Sequence, residues 1–142
     1  MNSNNDNAEL DERSFCRITP YGTEIWELKD GRRHRTDGPA VDWAHGEKQW
    51  YYYGRLHRAD GPAIENEDGR REWWQNGYRH RVVGPAVIWA DGSTEWWLNG
   101  HLHRTDGPAS IYASGKREWW LNGKEYDQLT YWLMLNERNH DL

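Results

Sequence analysis

The chain has 142 residues with 11 Trp, 8 Tyr, one Phe and one Cys, a hydrophobic fraction of 36% and a formal charge of −5. That length suits one domain, and with so few aliphatic residues its burial must come from aromatic rings, each worth about 150–250 Å². The dispersed acidic balance offers no concentrated basic surface for nucleic acid or anionic lipid, the lone Cys16 excludes an intramolecular disulfide and a Cys-based zinc site, and no apolar run is long enough to span a membrane.

Residues 1–13, MNSNNDNAELDER, are polar and lack the apolar centre of a signal peptide, so they read as a disordered lead. Cys16 reads as a small, semi-buried thiol. Together these features predict a soluble protein in a reducing, cytoplasmic compartment. Phe15 to Thr19 is expected to form a first, irregular strand.

A repeat then takes over. WAHGEKQWYYYGRLHRADGPA (43–63), NEDGRREWWQNGYRHRVVGPA (66–86) and WADGSTEWWLNGHLHRTDGPA (89–109) align in register. A degenerate copy precedes them at 16–40 and YASGKREWWLNGKEYDQ (112–128) follows. Within the units His45-Gly46, Asp68-Gly69, Asp91-Gly92 and Ser114-Gly115 mark one set of reversals. Asp30-Gly31, Tyr53-Gly54, Asn76-Gly77, Asn99-Gly100 and Asn122-Gly123 mark another, since such dipeptides suit turns with positive φ.

A unit that repeats by translation needs an even number of strands, and two are predicted: a short strand such as 86–90 and a Trp strand such as 93–98. The segment NGxxHRxDGP is expected to be a compact connecting loop. Alternation along the strands places Trp50, Trp73, Trp96 and Trp119 in one column and Tyr51, Trp74, Trp97 and Trp120 in another. Val41, Ile64, Val87 and Ser110 form a column beside Trp43, Asn66, Trp89 and Tyr112. With aromatics on both faces, a single layer held by side-chain ladders fits better than a sandwich.

The stretch 125–139 reads as a helix with Asp127 as N-cap and a staple from Tyr126 to Tyr131. Its Leu129, Trp132 and Leu133 are expected to cover the last hairpin. The fold predicted is all-β, an elongated single-layer antiparallel meander of about five 23-residue hairpin repeats over residues 14–124, with a capping helix and tail over 125–142.

The 23-residue period, the turn Gly, the Trp strand and the NGxxH segment resemble the MORN (membrane occupation and recognition nexus) repeat family. The likeness covers about residues 16–124. It is greatest to the variant with W-x-x-N-G and H-R-x-D-G-P-A signatures found in phage, giant-virus and bacterial proteins. The resemblance implies an elongated, twisted sheet that acts as a scaffold through protein contacts or self-association. Lipid binding, proposed for some members, sits poorly with this acidic chain, and the longer HRxDGP loop departs from the H-G-x-G of the standard unit.

The column His34, His57, His80 and His103 suggests a metal or acid-base array, but two strands of ~4.8 Å spacing per unit place successive members roughly 9–10 Å apart, too far to share an ion. His101 and His103 are close enough, yet no other unit repeats that pair. A structural account is preferred: Arg35, Arg58 and Arg104 fork onto Asp37, Asp60 and Asp106, an exposed pairing worth about 0.2–1 kcal/mol that the third copy, with Val82 and Val83, can drop. That leaves Arg81 unpaired beside two valines, a candidate partner contact. Gln49, Glu72, Glu95 and Glu118, which precede the double aromatic, read as solvated or cross-strand paired.

No nucleophile, phosphate-cradling loop or isolated carboxylate pair emerges, so no enzyme, cofactor or metal is expected. The leading expectation is a protein-binding scaffold or inhibitor that uses Trp43, Tyr51, Tyr52, Tyr78, Arg81, Trp89, His101 and Tyr112 as contact residues. Capture of a nucleotide or other small ligand by the Trp, Arg and His loops, and a self-assembling homo-oligomer, are the alternatives. By analogy with viral repeat proteins, the partner would be a host defence protein met in the host cytoplasm.

Overall fold

The computed structural model describes residues 13–140. The lead expected over 1–13 therefore lies almost wholly outside the described residues. In chain order the strands are β1 (Phe15–Ile18), β2 (Glu24–Glu27), β3 (Val41–Asp42), β4 (Lys48–Gln49), β5 (Tyr51–Tyr52), β6 (Arg55–Leu56), β7 (Ile64–Glu65), β8 (Arg71–Glu72) and β9 (Trp74–Gln75). They continue as β10 (Tyr78–Arg79), β11 (Val87–Ile88), β12 (Thr94–Glu95), β13 (Trp97–Leu98), β14 (His101–Leu102), β15 (Ser110–Ile111), β16 (Arg117–Leu121) and β17 (Lys124–Tyr126), and α1 (Gln128–His140) closes the chain.

Eleven of these strands form one antiparallel meander in the order β1-β2-β3-β4-β7-β8-β11-β12-β15-β16-β17. The all-β meander with a terminal helix is thus the architecture. The predicted two strands per unit are corrected in one respect. The first half of NGxxHRxDGP is no loop: β5-β6, β9-β10 and β13-β14 form a second row of two-stranded hairpins.

The Trp strand breaks at its Trp because the two backbone groups of that residue face different ways. Trp50 N–H donates to Ala63 O in the next unit of the main sheet, while Trp50 O accepts from His57 N–H in its own hairpin, and Trp73 and Trp96 repeat both bonds. Successive hairpins are then joined by Gly54, Gly77 and Gly100 N–H bonds to Arg33, Leu56 and Arg79 carbonyls. Each Trp is a corner between two rows of strands, and every repeat hands backbone donors to the next.

The two turn classes differ. Tyr53, Asn76, Asn99 and Asn122 have φ of 46–50° and each precedes a Gly of positive φ, as a two-residue hairpin turn with left-handed residues at both positions demands. In the other class only the Gly of each pair is left-handed.

The core is a thin line of small residues. Ala40, Val41, Ala63, Ile64, Ala86, Val87, Ala109 and Ser110 are buried where the short strands cross the sheet. Cys16, expected to be semi-buried, is exposed on β1. The Trp rings of the repeats are half-buried, since their role is to roof the thin line.

The helix docks by a different residue than expected. Asp127 caps it, accepting from Thr130 N–H at 2.9 Å and Thr130 Oγ1–H at 2.6 Å. Leu129, Trp132 and Leu133 are exposed, however, and Tyr131 is the fully buried contact. Tyr126 stands one period after His103 and Asp127 one period after Arg104, so α1 starts where a fifth HR loop would run.

Candidate functional site

The residues that looked chemically active are tied into the scaffold. His34, His57, His80 and His103 each accept, through Nδ1, the backbone N–H of Tyr53, Asn76, Asn99 or Asn122 at 3.0 Å. These are the left-handed residues of the neighbouring turns, whose amides point away from any strand partner. Each His therefore pins the next unit's turn, and does so as a neutral imidazole with its proton on Nε2. Burial, with a smaller push from Arg138, holds the His103 pKa below its usual value.

The Arg column has two fastenings in addition to the expected one. Arg35, Arg58 and Arg104 donate through Nε to Asp37, Asp60 and Asp106 at 2.8, 3.0 and 2.8 Å. The hydrogen bond from Arg35 lowers the Asp37 pKa. Each Arg also donates through Nη1 to the carbonyl four residues on, Pro39, Pro62 or Pro108, at 3.0–3.1 Å. The guanidinium meanwhile stacks over Trp26, Trp50 or Trp96 at 4.4, 3.9 and 3.9 Å.

Arg81, expected to be unpaired, keeps both extra fastenings: it reaches Pro85 O at 3.0 Å and lies 3.8 Å over Trp73. The motif's essential pairing is Arg on Trp, with the aspartate an addition. The motif Gly follows from this, because a Cβ on Gly38, Gly61 or Gly107 would stand 2.9–3.1 Å from the guanidinium carbon. Gly84 alone of the four is left-handed, with φ +100, in the loop that lacks the aspartate.

On the opposite side, carboxylates are built in. Glu72 is fully buried and accepts from Trp74 Nε1 at 2.9 Å, Arg79 Nε at 3.1 Å and both Nε and Nη2 of Arg70. Glu95 accepts the indole N–H groups of Trp89 and Trp97, and Glu118 accepts the Trp120 indole N–H, the Tyr112 O–H and the Lys116 ammonium. Of the two roles expected for this column, solvated or cross-strand paired, Glu72 takes the paired one with Arg79 and is buried rather than at a solvated edge. The indole N–H two residues on supplies a neutral donor that the sequence pattern did not suggest. Where the unit has Gln49 instead, the Trp43 Nε1 is buried without a partner among the described residues.

The expected contact residues thus divide. Trp43, Tyr51 and Trp89 are half-buried in ladders: Tyr51 lies under Arg33 at 5.2 Å, and Trp89 under Arg70 at 5.3 Å. Tyr112 is exposed but bound to Glu118. His101 is exposed on β14, and among the described residues no three His, Cys, Asp or Glu side chains are placed to hold a metal ion.

Tyr52, Tyr78 and Arg81 come together with features the sequence reading missed, a row of open grooves between successive HRxDGP loops. The first, about 690 Å³, lies between the loops at 35–38 and 57–60 over Trp50 and Tyr52. The second, about 1100 Å³, runs from Arg58–Pro62 to His80–Val83 over Trp73, with Tyr78, Val82 and Val83 on its wall. A third, about 430 Å³, lies over Trp96 between the loops at 81–84 and 103–106. Tyr78, Val82 and Val83 are 61, 79 and 80% exposed. The period placed the loops in register; the space between them needs the loop conformation.

No family model matches the chain, and no curated protein matches it.

Proposed function

We propose that the chain is a non-enzymatic protein-binding scaffold or inhibitor built from MORN-like repeats. The observation that carries this reading is the exposed trio Tyr78, Val82 and Val83 along the wall of the groove of about 1100 Å³. Apolar side chains held in the open beside a Trp floor and an Arg rim have the composition of a binding hot spot. The His, Arg and Glu columns support it from the other side, since their polar atoms are occupied by intramolecular bonds and turn the repeat into a rigid platform.

Among the described residues no helix is long and apolar enough to cross a membrane. We place the protein in the cytoplasm, as an accessory protein of phage type acting on a host defence protein. The test is affinity capture from host lysate with the wild-type chain and with Val83→Asp. A partner retained by the wild type and released by the variant supports the reading, while equal retention or no specific partner removes it.

Self-association is a second reading favoured by one feature. β1 pairs only with β2 among the described strands and exposes Phe15 and Ile18, which leaves an apolar sheet edge open. Sedimentation that depends on concentration and is abolished by Ile18→Lys would support it.

A further inference from the structure

We propose that the groove over the first loop, Arg35–Gly38, receives the side chain of an unphosphorylated tyrosine presented by a partner polypeptide. This deepens the scaffold reading and rests on it.

The chain itself displays what such a groove holds. Over the fourth loop, Arg104–Gly107, Tyr131 enters from α1 and is fully buried. Its hydroxyl lies 2.5 Å from Arg104 O and 3.0 Å from Gly107 O, and accepts the Gly107 N–H at 3.2 Å. One phenol thus donates its single proton to the nearer carbonyl, that of Arg104, while accepting the Gly107 amide, with the Gly107 carbonyl beside it. Gly107 is buried as a result, whereas Gly38, Gly61 and Gly84 are only half-buried.

The other loops present related constellations with different occupants. At the second loop, the Gln75 side-chain amide donates to Arg58 O at 2.7 Å and takes the place of the phenol. At the third, the left-handed Gly84 sets a different backbone from that of Gly107, and the groove there is the smallest, about 430 Å³. The first loop keeps the backbone class of the fourth at Gly38 and the same Arg fastenings, with Arg35 on Asp37 at 2.8 Å and on Pro39 O at 3.1 Å.

The residue in the Gln75 position of the first groove is Tyr52, and it turns aside. Its ring packs against His34 and His57, with centroids 4.9 and 5.8 Å away. A groove of about 690 Å³ remains, floored by Trp50. The rings of Trp50, capped by the Arg58 guanidinium at 3.9 Å, and of Tyr52 give the groove an aromatic lining that suits a further ring, and a hydroxyl at its tip is what the loop carbonyl accepts. Phosphorylation would oppose entry, because it removes the donor and brings a dianion to a groove whose two arginines, Arg35 and Arg58, are already neutralised by Asp37 and Asp60.

The test is titration of the ¹⁵N-labelled chain with N-acetyl-L-tyrosinamide, N-acetyl-L-phenylalaninamide and the O-phosphorylated tyrosinamide. The expected result is a shift of the Gly38 amide and Trp50 indole signals by tyrosinamide, roughly fivefold weaker binding of phenylalaninamide for one lost hydrogen bond, and no response to the phosphorylated probe. Thr36→Trp, a change at an exposed residue on the rim of this groove, should abolish those shifts without altering the Gly107 signal.

Equal response to the tyrosine and phenylalanine probes, binding of the phosphorylated probe, or no shift at the solubility limit would each overturn the proposal. A captured partner whose retention is unaffected by Thr36→Trp also overturns it while leaving the scaffold standing. Tyrosinamide binding with no partner lost on Val83→Asp would remove the scaffold, and with it the partner as source of the tyrosine, while leaving the groove's selectivity for a phenol.

Discussion

The Tyr131 hydroxyl lies 2.5 Å from the carbonyl oxygen of Arg104, a residue 27 positions earlier, and this contact closes the repeat array. A meander of identical units has no built-in end, and a sheet whose last loop stayed open would invite another chain to add to it. α1 begins one period after the fourth HR pair and sends one side chain back to the position a further repeat would cover.

Removal of that hydroxyl should therefore be costly for so small a change. Tyr131→Phe leaves the Arg104 carbonyl and the Gly107 amide without their partner, and is expected to cost about 1–3 kcal/mol in urea unfolding. Burial raises the Tyr131 pKa above 10.0, so the neutral phenol is the folded form. Its contribution is complete below the unfolded value and is lost as pH climbs through the folded one, a fall that Tyr131→Phe should remove.

The helix surface predicts the opposite. Leu129 and Leu133 are exposed, so Leu129→Glu and Leu133→Glu should change stability by no more than about 0.5 kcal/mol in the same measurement. A loss of several kcal/mol would mean that these residues, and not Tyr131, seat the helix.

Within the loops, arginine should matter more than aspartate. Arg58→Ala and Arg81→Ala each remove a stacked guanidinium and its bond to a proline carbonyl, and are expected to cost about 1–3 kcal/mol. Asp60→Ala and Asp106→Ala, at side chains 85 and 82% exposed, should cost less than about 1 kcal/mol. Denaturation midpoints rank the four; an aspartate variant weaker than its arginine neighbour would reverse the assignment.

The buried carboxylate offers a sharper contrast. Glu72→Ala removes the carboxylate bonded to Arg79 and Trp74 and the nearer of the two beside Arg70, and is expected to cost about 1–3 kcal/mol. Glu118→Ala, whose Lys116 partner is 66% exposed, should cost far less.

Acid should weaken the fold through His103. The His103 pKa is lowered from 6.5 by burial and by Arg138, so the unfolded chain binds the proton more readily. Its stability contribution is full above pH 6.5, declines as pH falls through that value, and levels off below the folded pKa. Urea midpoints from pH 8 to 5 should show the decline, reduced in His103→Asn, which can still accept the Asn122 amide without titrating.

The sequence by itself determined the repeat and its direction. A period of 23 residues with two reversing dipeptides admits only an even number of strands, and Asp127 followed by Thr130 marks the helix start, because caps and turns are decided by residues a few positions apart. Only the tertiary structure decided where the polar atoms go. His57 meets Asn76 across a repeat boundary, Arg81 meets Trp73 across its own hairpin, and the backbone switch at each Trp corner that creates the second row of hairpins depends on bonds between strands. Tyr131 against Arg104 belongs to the same class. Leu129, Trp132 and Leu133 have the helical spacing of a docking face, but a buried phenol that donates to the Arg104 carbonyl and accepts the Gly107 amide outweighs an apolar stripe that stays exposed.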